Sequence, residues 1–357
     1  AGVFAFDIEF LSADRYIPEL CLIQLAWADA EPVAIDPLEV DVGPVLAQIT
    51  SPEVLTIGHS AKQDLQLLTE RHQCRANRFM DTQIAAAFAG LGDQMGLSRM
   101  IEAICSVKLD KGPQFTDWSK RPLSARQLTY ALDDVRYLLP AWRHLEQKLE
   151  ERGRHSWVED ESAALAEQCA RITPADEIYR QVSGAGAVKG KALGALRGLA
   201  AWRERTARAE NKPPSWLMPD QAMVEACKRG VRSGSDLKRL RGVGAGTVRN
   251  YGDDILEAIA SGRNGAPPER AAKDPLTTEQ QVIAAVLNST VQAECRRLGM
   301  APRFVGARAE VEELVRWFSA GADETAAEHL KLLSTWRREM IGDDAVAWLR
   351  GERAVVT

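Results

Sequence analysis

Two acidic residues lie two positions apart in the first apolar stretch of the sequence, FAFDIEF (residues 4–10). Such a stretch predicts a buried β-strand, in which successive side chains alternate between the two faces. Asp7 and Glu9 should therefore share one face. Two neighbouring carboxylates repel each other and are costly to desolvate, and a divalent cation such as Mg²⁺ or Mn²⁺ offsets both effects. A strand face open to water is the alternative interpretation.

A third acidic residue lies in a segment with the pattern of a helix start. Ser60 and Gln63 have the spacing of a capping box, and the leucines that follow predict a helix with Asp64 in its first turns. Asp81 comes later, in the stretch Asp-Thr-Gln. Two roles are open for Asp81, which are support of a metal ligand and capping of the next helix.

A second capping box, formed by Ser124 and Gln127, predicts a helix that carries Tyr130 and Asp134. Residues four positions apart lie on one face of a helix, so the phenol and the carboxylate should be neighbours. Asp133 lacks this register, and we therefore select Asp134 as the candidate ligand. A packed tyrosine beside a solvated acid is the alternative interpretation of the pair.

These residues and their surroundings resemble a known family. The order Asp-x-Glu, helix-borne Asp and Tyr-x-x-x-Asp is similar to that of the DEDDy 3′→5′ exonucleases. The similarity is closer still to the ribonuclease D family, through stretches such as DIEFLSADRYIPELCLIQLA, GHSAKQDLQLL and LDKGPQFTDWSKRPLSARQLTYALDDVRYLLP. The resemblance implies an α/β fold, an RNase H-like exonuclease core with a mixed central sheet flanked by helices. Two all-α HRDC domains should follow this core.

The same resemblance implies how the acidic residues act. Two divalent ions, Mg²⁺ or Mn²⁺, would serve as cofactors, and Asp7 would bridge them. Glu9 and Asp134 would complete the first metal site. Asp64 would hold the second ion, and Tyr130 would orient the attacking water, because a phenol with an ordinary pKa is a poor base at neutral pH.

The family also implies a substrate. We expect a metal-dependent 3′→5′ exoribonuclease that releases 5′-mononucleotides and trims tRNA precursors and other small structured RNAs. A DNA-directed 3′→5′ exonuclease is an alternative with the same chemistry, since recognition of the 2′-hydroxyl leaves no readable motif. A non-catalytic RNA-binding scaffold is a second alternative, from a different class of protein.

The distribution of apolar residues divides the chain into a mixed first part and a helical tail. Strands are predicted over residues 3–10, 20–27, 33–35 and 54–58, and the pattern beyond residue 140 is helical. Within the tail, KPPSWLMPDQAMVEA resembles MAPRFVGARAEVEEL 88 positions later, and YGDDILEAIASG resembles IGDDAVAWLRGE 90 positions later. We therefore expect an exonuclease domain over residues 1–170, a linker helix with a first HRDC domain over 171–265, and a second HRDC domain over 266–357.

Other side chains have the chemistry to bind RNA. Trp118, Lys120 and Arg121 offer one ring for stacking and two cations for phosphate, although a loop packed on the core fits the same residues. Arg249 follows a glycine-rich turn in a basic stretch, for which a solvated helical face is the alternative. The cations of this stretch are Lys228, Arg229, Arg232, Lys238, Arg239, Arg241 and Arg249. We expect the tail to bind RNA rather than to carry out chemistry.

Two positions depart from the family pattern between LDK and TDW. Gly112 and Phe115 stand where the family commonly has a serine and an arginine. A cation that would hold substrate phosphate is therefore missing, which affects the expected affinity for substrate and not the metal ligands.

Composition and charge exclude several other classes of protein. Charged residues make up 27% of the 357 residues, and no apolar run suits a membrane span or a signal peptide. Six scattered cysteines without zinc spacing favour a reducing, cytoplasmic location. No strand precedes the glycine-rich residues 242–252, so neither a nicotinamide nor a nucleotide cofactor is expected. We expect a monomer and, because the first strand begins at residue 3, a fragment of a longer chain.

Overall fold

A five-stranded mixed sheet forms the centre of the N-terminal part of the chain. The computed structural model describes residues 2–28, 30–110, 112, 116–269 and 275–353, so that Phe115 lies outside the described residues. The strands are β1 (Gly2–Leu11), β2 (Glu19–Ala26), β3 (Val33–Ile35), β4 (Val54–Gly58) and β5 (Arg78–Asp81). They lie in the order β3-β2-β1-β4-β5, antiparallel from β3 to β1 and parallel from β1 to β5.

The sequence predicts four of these strands. β3 and β4 have the predicted bounds, and the ends of β1 and β2 differ from the prediction by one residue. β5 was not predicted, because the four residues RFMD are too few to show an alternating pattern. This strand is nevertheless important for the site, since its last residue is Asp81.

Helices cover both faces of the sheet. They are α1 (Gly43–Thr50), α2 (Lys62–His72), α3 (Thr82–Phe88), α4 (Leu97–Cys105), α5 (Ala125–Arg136), α6 (Leu138–Glu151) and α7 (His155–Ala170). On one face Phe6, Ile8 and Ile23 pack with Leu65 and Leu68 of α2. The other face packs against α5 and α6. We call β1–β5 with α1–α7 the sheet domain.

The tail contains two helical units with the same beginning. The first helical unit comprises α8 (Gly190–Glu210), α9 (Pro214–Leu217), α10 (Asp220–Arg229), α11 (Gly234–Leu237) and α12 (Ala245–Asn264). The second comprises α13 (Thr278–Leu298), α14 (Pro302–Val305), α15 (Arg308–Ser319), α16 (Glu324–Ala327), α17 (Thr335–Arg337) and α18 (Asp343–Leu349). Helices α8 and α13 both have 21 residues, and α9 and α14 both have four. Their starts are 88 positions apart (190 and 278, 214 and 302), as the sequence repeat predicts.

The second helical unit shares a hydrophobic core with the sheet domain. Phe88 of α3 lies 4.9 Å from the ring of Phe304 and 5.3 Å from that of Trp336, measured between centroids. Trp157 of α7 stacks on Trp336 at 4.8 Å. We call these four residues the aromatic seam. The sequence did not predict this contact, because it connects residues more than 140 positions apart.

The first helical unit has a core of its own and meets the sheet domain through polar groups. Its core contains residues from Tyr179 to Ile259. The side chain of Asn211 accepts the backbone N–H groups of Tyr16 and Ile17 at 3.1 and 3.0 Å. The hydroxyl of Tyr16 donates to Glu204 and accepts from Arg208 at 3.1 Å. We call these five residues the Tyr16 junction.

No helix in the described part of the chain is both long enough and apolar enough to cross a membrane.

Candidate active site

Strand β1 carries the first two carboxylates of the site. Asp7 and Glu9 are both half-buried and lie opposite Gln24 and Leu22 of β2. Residues paired in this way share one face of a sheet, so both carboxylates point towards the helices that cover that face. A register shift follows Glu9, between Glu9 and Phe10. The same-face placement predicted from the sequence is seen in the structure.

Helix α5 carries the tyrosine and a third carboxylate. The predicted capping box is present, since Ser124 Oγ accepts from the Gln127 backbone N–H at 3.2 Å and Gln127 Oε1 accepts from the Ser124 N–H at 3.0 Å. The side chains of Tyr130 and Asp134 are hydrogen-bonded to each other. The cap fixes where the helix begins and therefore the face on which these two side chains lie.

The neighbouring acid Asp133 has a different environment. Arg136 donates to Asp133 from Nε at 3.1 Å and also pairs with Glu31 at 2.7 Å. Asp133 therefore belongs to a surface ion-pair cluster, whereas Asp134 joins the carboxylates of β1.

Asp64 lies in the first turn of α2, but the predicted capping box at Ser60 is wrong. The helix begins at Lys62 after Ala61, with no side-chain cap, and Ser60 has a left-handed backbone with φ of 55°. Asp81 replaces the predicted cap, since its carboxylate accepts the backbone N–H groups of Ser60 at 3.0 Å and Ala61 at 3.1 Å. A cap from a distant strand cannot be recognised from local spacing.

Asp81 also caps the helix that follows it. Its carboxylate accepts the N–H of Gln83 at 2.8 Å and of Ile84 at 3.4 Å, as expected of an N-cap residue. One buried carboxylate thus holds the starts of α2 and α3 together. Asp81 is therefore a capping residue, and through α2 it positions Asp64.

The carboxylates form a compact cluster. Oxygen atoms of Asp7, Glu9 and Asp134 all lie within 4.8 Å of one another. Burial raises the pKa of Asp7 to about 7. Burial and the charges of the other acids raise the pKa of Glu9 to about 9, and burial with the Asp7 charge raises that of Asp134 to about 8. Burial and the Asp7 charge also raise the pKa of Asp64 well above its ordinary value.

This donor set fits a hard divalent cation. Within the described part of the chain, the principal influences on these four pKa values include no lysine or arginine. The negative charge is therefore not compensated by the protein itself. Carboxylate oxygens are the ligands that Mg²⁺ and Mn²⁺ prefer, and a bound cation would lower all four pKa values.

The loop residues Trp118 and Arg121 are engaged inside the protein. Trp118 is 2% exposed and packs against Leu22 and Ala131, with its ring 6.2 Å from that of Tyr130. Arg121 pairs with Asp36 and also donates to backbone carbonyls of the loop and of β2. These placements favour packing on the core over contact with RNA.

The other candidate RNA contacts are open to solvent. Lys120 is exposed, and its Nζ lies 3.8 Å from Oδ2 of Asp117. Arg249 and the rest of the basic stretch are also exposed, on the first helical unit and its connecting loops. We call this set the basic surface, and its members are Lys228, Arg229, Arg232, Lys238, Arg239, Arg241 and Arg249.

Gly112 has a structural explanation. A Cβ atom at this position would overlap the ring of Tyr130. The chain therefore passes directly over the ring, and a serine here would require the backbone or the tyrosine to move. The departure from the family pattern at residue 112 thus changes the surroundings of Tyr130.

One polar residue on the carboxylate face was not singled out from the sequence. Gln24 lies within the apolar strand ELCLIQLA and pairs directly with Asp7. An isolated polar residue in a fully buried strand is the only signal that could have identified it, and the pairing register is needed to connect it with the site.

Comparison with known proteins agrees with this geometry. A family model described as a 3′-5′ exonuclease matches residues 1–150, and the HRDC domain model matches residues 192–259 in the first helical unit. Ribonuclease D of Gluconacetobacter diazotrophicus is 34% identical over 96% of this chain and 86% of its own length. Ribonuclease D of Sphingobium indicum is 32% identical over 98% of this chain and 90% of its own.

The fold gives the same result. The crystal structure of Escherichia coli RNase D, described as an exoribonuclease involved in structured RNA processing, superposes with a TM-score of 0.85 at 24% identity. The match covers 99% of this chain and 94% of that one. From its relatives, its domain models and its fold, the chain belongs to the ribonuclease D family of 3′→5′ exoribonucleases.

Proposed function

We propose that the chain uses two divalent metal ions to remove 5′-mononucleotides from the 3′ ends of structured RNAs, tRNA precursors among them. The observation that carries this proposal is the uncompensated cluster of Asp7, Glu9 and Asp134, with Asp64 electrostatically coupled to it. Asp7, Glu9 and Asp134 would hold one ion, and Asp7 with Asp64 the other. Two such ions supply a nucleophile at neutral pH and offset charge on the attacking and leaving oxygens.

Tyr130 has a positioning role in this proposal. Burial and the neighbouring carboxylates raise the pKa of its hydroxyl above the ordinary value, so the group stays protonated at neutral pH. A protonated phenol cannot act as a general base. Its single hydrogen is donated to Asp134, and its oxygen can accept a hydrogen bond from the attacking water. We assign it the orientation of the attacking water, with Asp134 holding the phenol in place.

The tail provides binding surface rather than chemistry. We propose that residues 171–265 and 266–357 hold two HRDC domains after an exonuclease domain over 1–170. The 88-position repeat of α8–α9 in α13–α14 supports a second copy. The basic surface, with Arg249, and the exposed Lys120 are the proposed RNA contacts. All six cysteines are free thiols, which supports a reducing, cytoplasmic location, and we propose that the protein acts as a monomer.

The test compares two adjacent carboxylates. Asp134→Asn should abolish hydrolysis of 3′-tailed RNA in Mg²⁺ or Mn²⁺, because it removes a ligand, whereas Asp133→Asn should retain activity because Asp133 only pairs with Arg136. Tyr130→Phe should slow single-turnover hydrolysis on the order of 10²-fold with metal binding retained. Equal activity of the two asparagine variants would refute the assigned site.

Substrate preference is read from the same assay. Matched end-labelled RNA and DNA are digested with metal or with chelator, and we expect RNA to be degraded faster, one nucleotide at a time. Preferential digestion of DNA would instead support the DNA-directed alternative. Binding of RNA without metal-dependent digestion would support a scaffold.

A further inference from the structure

Gln24 is a buried amide without a hydrogen-bond partner beside the carboxylate cluster. Its side chain is 0% exposed, and neither Oε1 nor Nε2 is hydrogen-bonded. Leaving a buried polar group unpaired costs about 1–3 kcal/mol, so an apolar residue of the same length would be the more stable choice at this position. Packing alone therefore does not explain a glutamine here.

The register of the sheet places this amide next to the site. Gln24 of β2 lies directly opposite Asp7 of β1, and such pairs have Cβ atoms about 4.5–5.5 Å apart on the same face. Along β2 its neighbours on that face are Leu22 and Ala26. Leu22 belongs to one hydrophobic cluster with Ala131 of α5, and Ala26 to another with Val135 of α5. Gln24 is thus enclosed between β1 and the helix that carries Asp134.

A second unpaired donor lies in the hydrophobic cluster that contains Leu22. Trp118 is buried, and its indole Nε1–H has no hydrogen-bond partner. It packs in the same cluster as Leu22, the neighbour of Gln24 on this face. An indole can only donate, whereas an amide both donates and accepts, so the two groups are complementary in kind.

We propose that Gln24 is a positioning residue for Asp7. Its Nε2–H donates to the Asp7 carboxylate, and its Oε1 accepts from Trp118 Nε1–H, directly or through one buried water. None of these hydrogen bonds is present in the structure. We expect them to form when a divalent cation is bound to the Asp7 carboxylate. This inference rests on the proposed function, since it assumes that Asp7 is a metal ligand. Groups that orient metal ligands in this way contribute 10–100-fold to metal affinity in other proteins.

The principal test is the affinity for Mn²⁺, measured by calorimetry. Gln24→Met keeps the length of the side chain and removes both polar groups, so it should weaken Mn²⁺ binding about 10–100-fold. Its thermal stability in chelator should be unchanged or higher, because an unpaired buried amide is gone. Leu22→Met, on the same strand and face, should leave Mn²⁺ affinity unaltered.

A second variant tests the proposed hydrogen bonds that connect Trp118 through Gln24 to Asp7. Trp118→Phe removes the indole donor and should weaken Mn²⁺ binding by less than Gln24→Met does. If the two residues act in series, the double variant should bind no more weakly than Gln24→Met alone, which is the non-additivity expected of one network.

Two outcomes separate this inference from the proposed function. Parental Mn²⁺ affinity in both Gln24→Met and Trp118→Phe would show that Gln24 only fills the core, and the inference would be refuted while the proposed function stands. An unaltered protein that binds no Mn²⁺ would refute the proposed function, and the inference with it.

Discussion

The two helical units of the tail begin with the same helices but meet the sheet domain in different ways. Trp216 of α9 and Phe304 of α14 occupy equivalent positions in the 88-residue repeat. Trp216 is 60% exposed, whereas Phe304 is 6% exposed and contacts Phe88. The equivalent aromatic position is therefore exposed to solvent in the first unit and part of a protein core in the second.

The charged residues follow the same division. In the second unit Arg337 is buried, pairs with Glu161 of α7 at 2.5 Å and donates to the carbonyl of Phe304 at 2.7 Å. In the first unit the basic surface is open to solvent. The comparison teaches that the second unit is built into the core of the sheet domain, whereas the first unit presents the exposed cations that we propose as RNA contacts.

The largest expected effect comes from the aromatic seam. Trp336→Ala removes a ring that stacks on Trp157 and contacts Phe88, and such core truncations cost about 3–5 kcal/mol. Because the sheet domain and the second unit share this core, chemical denaturation should show both losing stability together. Trp216→Ala in the first unit is the matched control and should change stability little. Independent unfolding of the second unit in Trp336→Ala would contradict the shared core.

The next effect is the stabilisation by metal. The folded-state pKa values of Asp7, Asp134 and Glu9, about 7, 8 and 9, exceed their ordinary values. The folded protein therefore retains protons that the unfolded chain releases at about pH 4. Without metal, its stability falls as the pH rises from there through these folded-state values. A Mn²⁺ concentration that is 100 times the dissociation constant at pH 8 should add about 2.7 kcal/mol at that pH. The same concentration should add less at pH 6, because protonated carboxylates bind the ion more weakly.

Hydrogen exchange can locate this gain. Protection should rise in the sheet domain and the second unit, which share a core, and stay unchanged in the first unit. An equal rise in all three regions would mean that the first unit is as tightly coupled to the active site as the second, and would remove the distinction between them.

A smaller effect is expected on the basic surface. Lys238→Gln with Arg239→Gln should weaken binding of 3′-tailed hairpin RNA roughly 10-fold at moderate salt and reduce the log–log salt slope by about 1.4 for single-stranded contacts. Stability should not change, since both side chains are exposed. Arg296→Gln with Arg297→Gln removes the same charge from the second unit and should have little effect. Equal losses of RNA affinity in the two double variants would indicate that RNA binding depends on the net charge of the protein and not on the position of the cations.

The smallest effect is expected at the Tyr16 junction. Asn211 has a left-handed backbone, so Asn211→Gly keeps the helix end and removes only the acceptor for the Tyr16 and Ile17 N–H groups. We expect a loss of about 0.5–1.5 kcal/mol. Faster hydrogen exchange should be confined to the loop after β1 and the end of α8. Asn211→Asp keeps an acceptor and serves as the control; equal exchange in the two variants would show that the junction does not hold the loop.

Much of the active site could be predicted because its geometry is local. The two-residue period of β1 places Asp7 and Glu9 on one face, and the four-residue spacing on α5 brings Tyr130 to Asp134. The Ser124 cap is equally local, since donor and acceptor lie three positions apart. Backbone geometry alone determines such neighbours, and no knowledge of the remaining fold is needed.

The predictions that failed or were missing depend on distant partners. Ser60 has the spacing of a capping residue, but Asp81, 21 positions away, takes that role. For Trp118 and Arg121 the sequence left RNA contact and packing on the core both open, and their contacts with β2 and Asp36, far along the chain, favour packing. The sequence likewise gave no indication that Phe88 and Trp157, both within residues 1–170, belong to the aromatic seam shared with the second unit.

The sequence by itself therefore determined the residue types of the candidate site, their order and their local register, together with the repeat in the tail. Tertiary structure decided that Asp64 lies near enough to Asp7 to be affected by its charge, and that Gln24 lies opposite Asp7. It also decided that only the second of the two helical units shares the core of the sheet domain. The reason is physical. Period and spacing are properties of a single strand or helix, whereas strand pairing and shared cores depend on which surfaces the whole chain brings into contact.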